Sequence, residues 1–192
     1  MAYYPIFLEL KSRPCLVVGG GEVAYRKALA LISCGAKVRV ASPGLHAGLK
    51  RLLTQRKIQW VRHTFRPIDV DGIELVVAAT NDQPVNERIF RLCQKRRIWV
   101  NVVDQPKLCS FIVPSVVRRG GLTVAISTGG ASPALSKWIR KDIERRYGAE
   151  FRKLVTAMHQ VRPQVLAQVK GVARRKALFE KALKAYFKVL GK

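Results

Sequence analysis

The sequence predicts an α/β fold built on a parallel sheet, and three observations support this prediction. Short apolar runs typical of buried strands alternate with segments of helical spacing up to about residue 104. The first of these runs, Cys15–Val18, leads directly into a glycine-rich turn and a helix. After residue 110 two β-branched runs are followed by helical sequence. We therefore expect a parallel sheet, then a small β-hairpin, then a helical C-terminal region.

The turn after the first strand has small residues at regular spacing. Gly19, Gly21 and Ala24 fit G-x-G-x-x-G/A, and a helix continues from Val23 to Ser33. In this motif the first glycine makes the turn, the second lets a pyrophosphate approach the backbone, and the alanine allows close packing of helix on strand. Free N–H groups at the helix N-terminus also favour an anion. The motif predicts a Rossmann-like dinucleotide site, with a simple tight turn as the alternative.

The other elements of the sheet follow in chain order. Residues 5–10 are predicted as an edge strand or as a lead-in that packs on the first βα unit. Further strands are predicted at 37–41, 58–61, 73–79 and 98–103, with helices at about 45–53 and 84–97. In such a sheet the ligand lies at the carboxyl ends of the strands. The segments that follow those ends are 19–21, 42–44, 80–82 and 101–104.

The sequence beyond residue 110 predicts a second, smaller region. Residues 111–117 and 122–127 form a predicted hairpin. A second glycine-rich turn, Thr128–Pro133, leads into a helix that ends at Gly148. Helical sequence then continues, with Pro163 and Gly171 as predicted breaks between two further helices. The predicted boundaries are 1–112, 113–147 and 148–192.

The composition has one unusual property, its charge. Lys and Arg number 36 against 12 Asp and Glu, which gives a net charge of +24. Such an excess indicates a polyanionic partner, either nucleic acid or a small ligand with many carboxylates. The basic C-terminal region lacks aromatic residues at stacking intervals, so nucleic acid is the disfavoured choice.

Other classes of protein are excluded on composition. No apolar run approaches the roughly 18 residues of a membrane span, and the N-terminus has no signal-peptide pattern. The 4 cysteines show no C-x-x-C spacing and the 3 histidines are scattered. We therefore expect no membrane partner, no metal site, and buried thiols in a reducing, cytoplasmic compartment.

Several motifs in a fixed order resemble one known family. They are Pro5–Leu8, Val18–Ala24, Arg26–Lys27, Ala78–Asp82, Asn101–Asp104, Ser110–Ser115 and Ser127–Pro133. Over about residues 4–147 the chain resembles the precorrin-2 dehydrogenase / sirohydrochlorin ferrochelatase domain of siroheme synthases. The resemblance implies NAD-dependent oxidation of precorrin-2 to sirohydrochlorin in siroheme biosynthesis, and some members of the family also insert Fe²⁺. It further implies a homodimer in which 113–147 is the dimerisation region. The many carboxylates of the tetrapyrrole offer a partner for the positive charge.

The resemblance and the motifs together assign the site residues. Asp104 is the predicted catalytic residue, because a carboxylate after the fifth strand can accept the proton lost with the hydride. Its alternative role is to cap the following turn. The predicted cofactor-binding residues are Gly19, Gly21, Glu22, Val23, Pro43, Gly44, Thr80 and Asn81. The predicted substrate-binding residues are Asn101, Arg118, Arg119, Thr128 and Gly129.

Alternatives remain for several of these residues. Thr80 and Asn81 can instead cap the next helix, and Thr128 can instead stabilise its own turn. No acidic residue follows the second strand and Arg39 lies nearby, so local chemistry leaves NADP open, whereas the resemblance implies NAD. The alternative function is a dinucleotide-sensing regulatory or nucleic-acid-binding module with a basic helical tail. That alternative leaves Asn101–Asp104 and Thr128–Pro133 without a role.

Overall fold

The computed structural model of the protein describes residues 3–189, with side chains through Lys188. The chain forms two compact units, the first ending at Val113 and the second beginning at Pro114. The outer ends of the predicted segments 1–112 and 148–192, residues 1–2 and 190–192, lie outside the described residues.

The first unit is built on a five-stranded parallel sheet of order β3-β2-β1-β4-β5. Each neighbouring pair of strands is parallel. The order reverses direction beside β1, and in α/β sheets a ligand crevice lies at such a reversal. The predicted Rossmann-like fold is confirmed. The strands are β1 (Pro14–Val18), β2 (Lys37–Ala41), β3 (Ile58–Val61), β4 (Leu75–Ala78) and β5 (Trp99–Val102).

Helices cover both faces of this sheet. They are α1 (Glu22–Ser33), α2 (Ala47–Thr54) and α3 (Gln83–Arg96), with 3₁₀ turns at Pro67–Val70 and Pro106–Leu108. Because side chains alternate along a strand, β1 divides its apolar residues between two cores. Cys15 and Val17 pack in the cluster that contains residues of α1 and α2. Leu16 and Val18 pack in the cluster that contains α3 residues. Burial on both faces explains why β1 is apolar throughout.

The structure excludes an edge strand, one of the two alternatives predicted for the N-terminal segment. Residues 5–10 form no strand and are an irregular lead-in to β1. Three of their apolar side chains are exposed, Ile6 by 51%, Phe7 by 74% and Leu8 by 43%. Within this stretch Leu10 packs against the first core, and just beyond it Ser12 N donates to Gly35 O at 2.8 Å. Apolar residues alone therefore do not make a strand here, because a strand requires a hydrogen-bonded neighbour and residues 5–10 pair with none of the described strands.

The second unit begins with an antiparallel hairpin of β6 (Ser115–Arg119) and β7 (Leu122–Ile126). The predicted first strand started too early, since 111–114 lie outside the hairpin. Three helices follow: α4 (Pro133–Arg146), α5 (Glu150–Gln168) and α6 (Val172–Val189). Among the helices that the structure describes, none has the length and apolar character needed to cross a membrane.

One of the two helix breaks predicted in the C-terminal region is absent from the structure. Pro163 lies inside α5, which continues through it, so the predicted break there is wrong. Burial of Phe151, Leu154 and Val165 along α5 supplies packing that offsets the one hydrogen bond a proline removes. The predicted break at Gly171 is confirmed, because this glycine adopts a φ of 93° between α5 and α6.

Candidate active site

A cavity of about 490 Å³ opens at the carboxyl edge of the sheet in the first unit. This volume falls within the range of small-molecule and cofactor sites. Its walls are the segments after β1, β2, β3 and β4 together with the first residues of α1 and α3. The structure brings seven of the eight predicted cofactor residues into this lining, all except Gly44. The lining is Val18–Val23, Ala41–Pro43, Thr64, Phe65, Ala79–Asp82 and Val85.

The three glycines after β1 are required for different reasons. Gly19 has a φ of +117°, and a Cβ there would lie 2.3 Å from the Ala79 carbonyl oxygen. At Gly20 a Cβ would lie 1.8 Å from the Gly44 carbonyl oxygen. A Cβ on Gly21 would have no atom within 4 Å, because this residue faces open space at the cavity wall. Neighbouring backbone therefore excludes side chains at the first two positions, and only an incoming ligand would exclude one at Gly21.

The segment after β2 is fastened to the glycine turn. The hydroxyl of Ser42 donates to the Gly44 carbonyl at 2.7 Å. The backbone N–H of His46 donates to the Gly20 carbonyl at 2.7 Å, and Trp60 Nε1 donates to the Ser42 carbonyl at 2.9 Å. These bonds fix the position of the segment after β2 relative to the glycine turn, and both segments form walls of the cavity. Sequence reasoning missed Gly20, for which the third consecutive glycine was the available signal.

Thr64 and Phe65 are cavity residues that the sequence analysis did not identify. They follow β3, which is the neighbour of β2 and ends at the same edge of the sheet. The signal was present, because the carboxyl end of every parallel strand borders that edge. Phe65 is also buried in the second core, so it supports the wall as well as lining it.

Thr80 stabilises the turn after β4 but does not cap α3, which was the alternative role predicted for it. Its hydroxyl donates to Asn86 Oδ1 at 2.7 Å and accepts from Asp82 N at 3.2 Å. Asn86 Nδ2 donates in return to the Thr80 carbonyl at 3.1 Å. The N-cap of α3 is Asp82, whose carboxylate accepts from Val85 N at 3.1 Å. The Thr80–Asn86 pair therefore fixes the turn after β4, and Asn81 is exposed beside it in the cavity lining.

Asp104 lies on the turn that follows β5 and is exposed. Its φ is +58°, a left-handed conformation that aspartate tolerates better than most residues. The turn is closed by Gln105 N, which donates to the Val102 carbonyl at 3.3 Å. Asp104 is not part of the cavity lining. It follows β5, the strand next to β4, and the residues that follow β4 do line the cavity.

The loop after Asp104 is held by buried polar groups. Asn101, only 8% exposed, donates its side-chain amide to the Phe111 carbonyl at 3.0 Å. The backbone N–H of Val102 donates to Cys109 Sγ at 3.3 Å, and that thiol can donate to the Gln105 carbonyl at 3.3 Å. Burial raises the pKa of the Cys109 thiol, so it stays neutral at ordinary pH. The amide nitrogen of Asn101, predicted to bind substrate, is thus engaged in positioning the loop that carries Asp104.

All four cysteines were predicted to be buried, but Cys34 and Cys109 are only partly buried. Cys15 and Cys93 have no exposed surface, and burial raises the pKa of each thiol to about 11. Among the described residues no group of three or more His, Cys, Asp or Glu side chains is arranged to hold a metal ion.

In the second unit, the predicted substrate residue Thr128 stabilises its own turn. Its hydroxyl accepts from Ser132 N at 3.1 Å and lies 3.3 Å from the Ser136 hydroxyl. Gly129 follows with a φ of +63° and donates its N–H to Ser127 Oγ at 3.0 Å. Ser132 caps α4, as predicted, by accepting from Leu135 N at 3.1 Å. These contacts supply the structural alternative for Thr128, and its role toward a substrate stays a prediction.

Arg119 is engaged at the C-terminal end of α4. Its guanidinium donates to the carbonyls of Tyr147 at 2.9 Å and Glu144 at 3.1 Å, and to that of Arg118 at 3.0 Å. The last carbonyls of a helix lack intrahelical partners, so this contact stabilises the helix end.

Replacing Arg119 with methionine is expected to lower the free energy of unfolding by about 1–3 kcal/mol, because hydrogen bonds from a charged donor are lost. Urea denaturation measures this change, and Lys141→Met on the exposed surface of α4 is the matched control. An unchanged midpoint combined with weaker tetrapyrrole binding would assign Arg119 to substrate instead.

Two family models match this chain, one over most of its first unit and one over part of its second. Residues 6–115, more than half of the chain, match the family model described as "Putative NAD(P)-binding". The chain belongs to this NAD(P)-binding family. Residues 119–146 match a second model, "Sirohaem biosynthesis protein central". The resemblance stated from the sequence motifs is confirmed, as is a nicotinamide dinucleotide as cofactor.

Individual proteins similar to this chain are siroheme synthases. The siroheme synthase of Methylobacillus flagellatus is 43% identical over 94% of this chain, and that of Thioalkalivibrio sulfidiphilus is 42% identical over 95%. The chain spans only 38% and 37% of the lengths of these two relatives. Among solved structures, SirC, a precorrin-2 dehydrogenase, superposes with a TM-score of 0.78 at 28% identity, covering 93% of this chain and 88% of that one.

Proposed function

We propose that this chain is an NAD-dependent dehydrogenase that oxidises precorrin-2 to sirohydrochlorin. The observation that carries the proposal is the position of Asp104, on a constrained turn one strand beyond a dinucleotide cavity. The structural likeness to SirC over nearly the whole of both chains supports it. So does the match of residues 119–146 to the sirohaem family model.

The reaction removes a hydride and a proton from the tetrapyrrole. NAD⁺, when bound, accepts the hydride and with it both electrons. The proton needs a base, and we assign that role to the Asp104 carboxylate. The Asn101 and Cys109 hydrogen bonds hold the loop that carries this carboxylate, so they preserve its position during turnover. The glycine turn and the α1 N-terminus would hold the pyrophosphate through their backbone N–H groups.

The cofactor is assigned as NAD and not NADP because the cavity has no basic side chain in its lining. A 2′-phosphate is usually held by an arginine near the end of the second strand. Arg39, which left NADP open in the sequence, lies within β2 and does not line the cavity.

The partners implied by the sequence belong to the same proposal. The chain would act as a homodimer through 113–147, and exposed apolar side chains on α4, Leu135 at 48% and Trp138 at 64%, support this. Insertion of Fe²⁺ into sirohydrochlorin and a cytoplasmic location stay predictions. The alternative, a regulatory or nucleic-acid-binding module, is not favoured by the comparisons.

Anaerobic incubation of the protein with precorrin-2 and NAD⁺ tests the function. We expect NADH to form in equal amount to sirohydrochlorin, each followed by its absorbance spectrum. NADP⁺ is expected to support a rate at least about tenfold lower, because no basic side chain is among the described residues that line the cavity. Absence of NADH with freshly prepared precorrin-2 would reject the proposed activity. Addition of Fe²⁺ after dehydrogenation then tests chelation separately.

A further inference from the structure

Lys27 lies on α1 close to the loop that carries Asp104. The inner face of α1 contributes Ala24 and Ala28 to one apolar cluster, and Val103 and Phe111 pack against the same cluster. Val103 directly precedes Asp104, and Phe111 ends the loop that follows it. Packing therefore brings the second turn of α1 and the Asp104 loop to one side of the sheet.

The ammonium group of Lys27 is half-buried and has no partner. Among the residues that the structure describes, it makes no hydrogen bond, and no carboxylate lies within ion-pair distance of it. Burial lowers the pKa of Lys27, and the carboxylate of Asp104 is the strongest influence in the opposite direction. Arg26 and the Cys109 thiol are the other groups that act on it.

An uncompensated charge of this kind is costly to keep in a folded protein. Lysine ammonium groups normally remain in water or pair with an anion, because desolvation of a lone charge is unfavourable. The Asp104 carboxylate favours the charged form of Lys27 but forms no ion pair with it among the contacts of the described residues. An anionic group of a ligand would complete this arrangement.

We propose that Lys27 binds a carboxylate side chain of the tetrapyrrole and thereby places the macrocycle beside Asp104. This inference rests on the proposed function. The pyrophosphate of the dinucleotide is the other small anion available, but Lys27 does not line the dinucleotide cavity, whereas its helix neighbours Glu22 and Val23 do. A tetrapyrrole carboxylate bound by Lys27 would fix the reacting carbon relative to the Asp104 carboxylate. Lys27 would in this way contribute to substrate specificity.

Steady-state kinetics of Lys27→Met test the proposal. Methionine is an unbranched side chain of similar length without the charge, so we expect the fold to be retained. We expect the KM for precorrin-2 to rise roughly 10- to 100-fold, the loss typical of one charge-assisted hydrogen bond. The dissociation constant for NAD⁺, measured by titration without substrate, is expected to stay within about twofold. Lys27→Arg should recover most of the lost affinity because it keeps the positive charge.

An exposed lysine on a different helix provides the matched control. Lys50→Met removes a charge from the exposed surface of α2 and should leave both constants unchanged. If Lys27→Met does not fold, Lys27→Gln gives the same measurement. An unchanged KM for precorrin-2, or a weakened NAD⁺ affinity of the same size, would overturn this inference while the wild-type activity stands. Wild-type protein that forms no NADH would overturn the proposed function and this inference together.

Discussion

Replacing Asp104 with asparagine is expected to lower kcat for precorrin-2 oxidation by a factor of roughly 10²–10⁴, the usual contribution of a general base. Asparagine has nearly the same shape but cannot accept the proton at neutral pH. It also tolerates left-handed backbone, so the turn with φ of +58° is retained. NADH formation under saturating precorrin-2 measures the effect.

Two further measurements separate chemistry from folding. The NAD⁺ affinity and the urea midpoint of Asp104→Asn should match those of the wild type, because Asp104 neither lines the cavity nor packs in a core. Asp104→Ala should be equally inactive but less stable by about 1–2 kcal/mol, because alanine is disfavoured at this φ. Turnover of Asp104→Asn close to the wild-type rate would assign Asp104 to turn formation alone.

Gly21→Asp is expected to weaken NAD⁺ binding by at least about 100-fold while leaving the protein folded. A Cβ at Gly21 meets no atom within 4 Å, so the backbone accepts a side chain there. The added carboxylate would project where the pyrophosphate lies, and like charges in contact cost several kcal/mol. Fluorescence or calorimetric titration with NAD⁺ measures the loss, and Gly21→Ala should show a smaller one.

Gly20→Ala is the contrasting variant. Its Cβ would lie 1.8 Å from the Gly44 carbonyl oxygen, so the two loops must separate and the free energy of unfolding should fall. Any loss of cofactor binding in this variant would then result from the displaced loops and not from a side chain that occupies the cavity. Equal NAD⁺ affinity in Gly21→Asp and wild type would remove the glycine turn from the cofactor site.

Most of the first unit could be predicted from local patterns. Each buried strand has an apolar run, and the G-x-G-x-x-A spacing marks the first turn. The N-terminal segment 5–10 has a similar apolar character but forms no strand, because strand formation depends on a neighbour that the local sequence does not specify. Pro163 shows the reverse case, a local break signal that is overridden by the packing of α5.

The details of the site depend on contacts between distant residues. Asn101 looks like a ligand-binding residue beside Asp104 in the sequence, yet its amide donates to the Phe111 carbonyl ten positions later. Arg119 resembles a carboxylate receptor, but its guanidinium is engaged by carbonyls at the end of α4. Hydrogen-bond partners that arrive only with the tertiary fold leave no periodic signal in the sequence, so these contacts could not be predicted, and the substrate roles of Asn101 and Arg119 stay predictions.

The dinucleotide cavity is assembled from segments that leave the ribosome at different times. Its walls come from Val18–Val23, Ala41–Pro43, Thr64–Phe65, and Ala79–Asp82 with Val85. Strand β4, which pairs with β1 across more than fifty intervening residues, has to be synthesised before the fourth of these walls can face the first. A nascent chain therefore has no complete nucleotide pocket until residue 85 has emerged. Cofactor capture during synthesis would then stabilise only chains whose sheet had already closed in the native strand order.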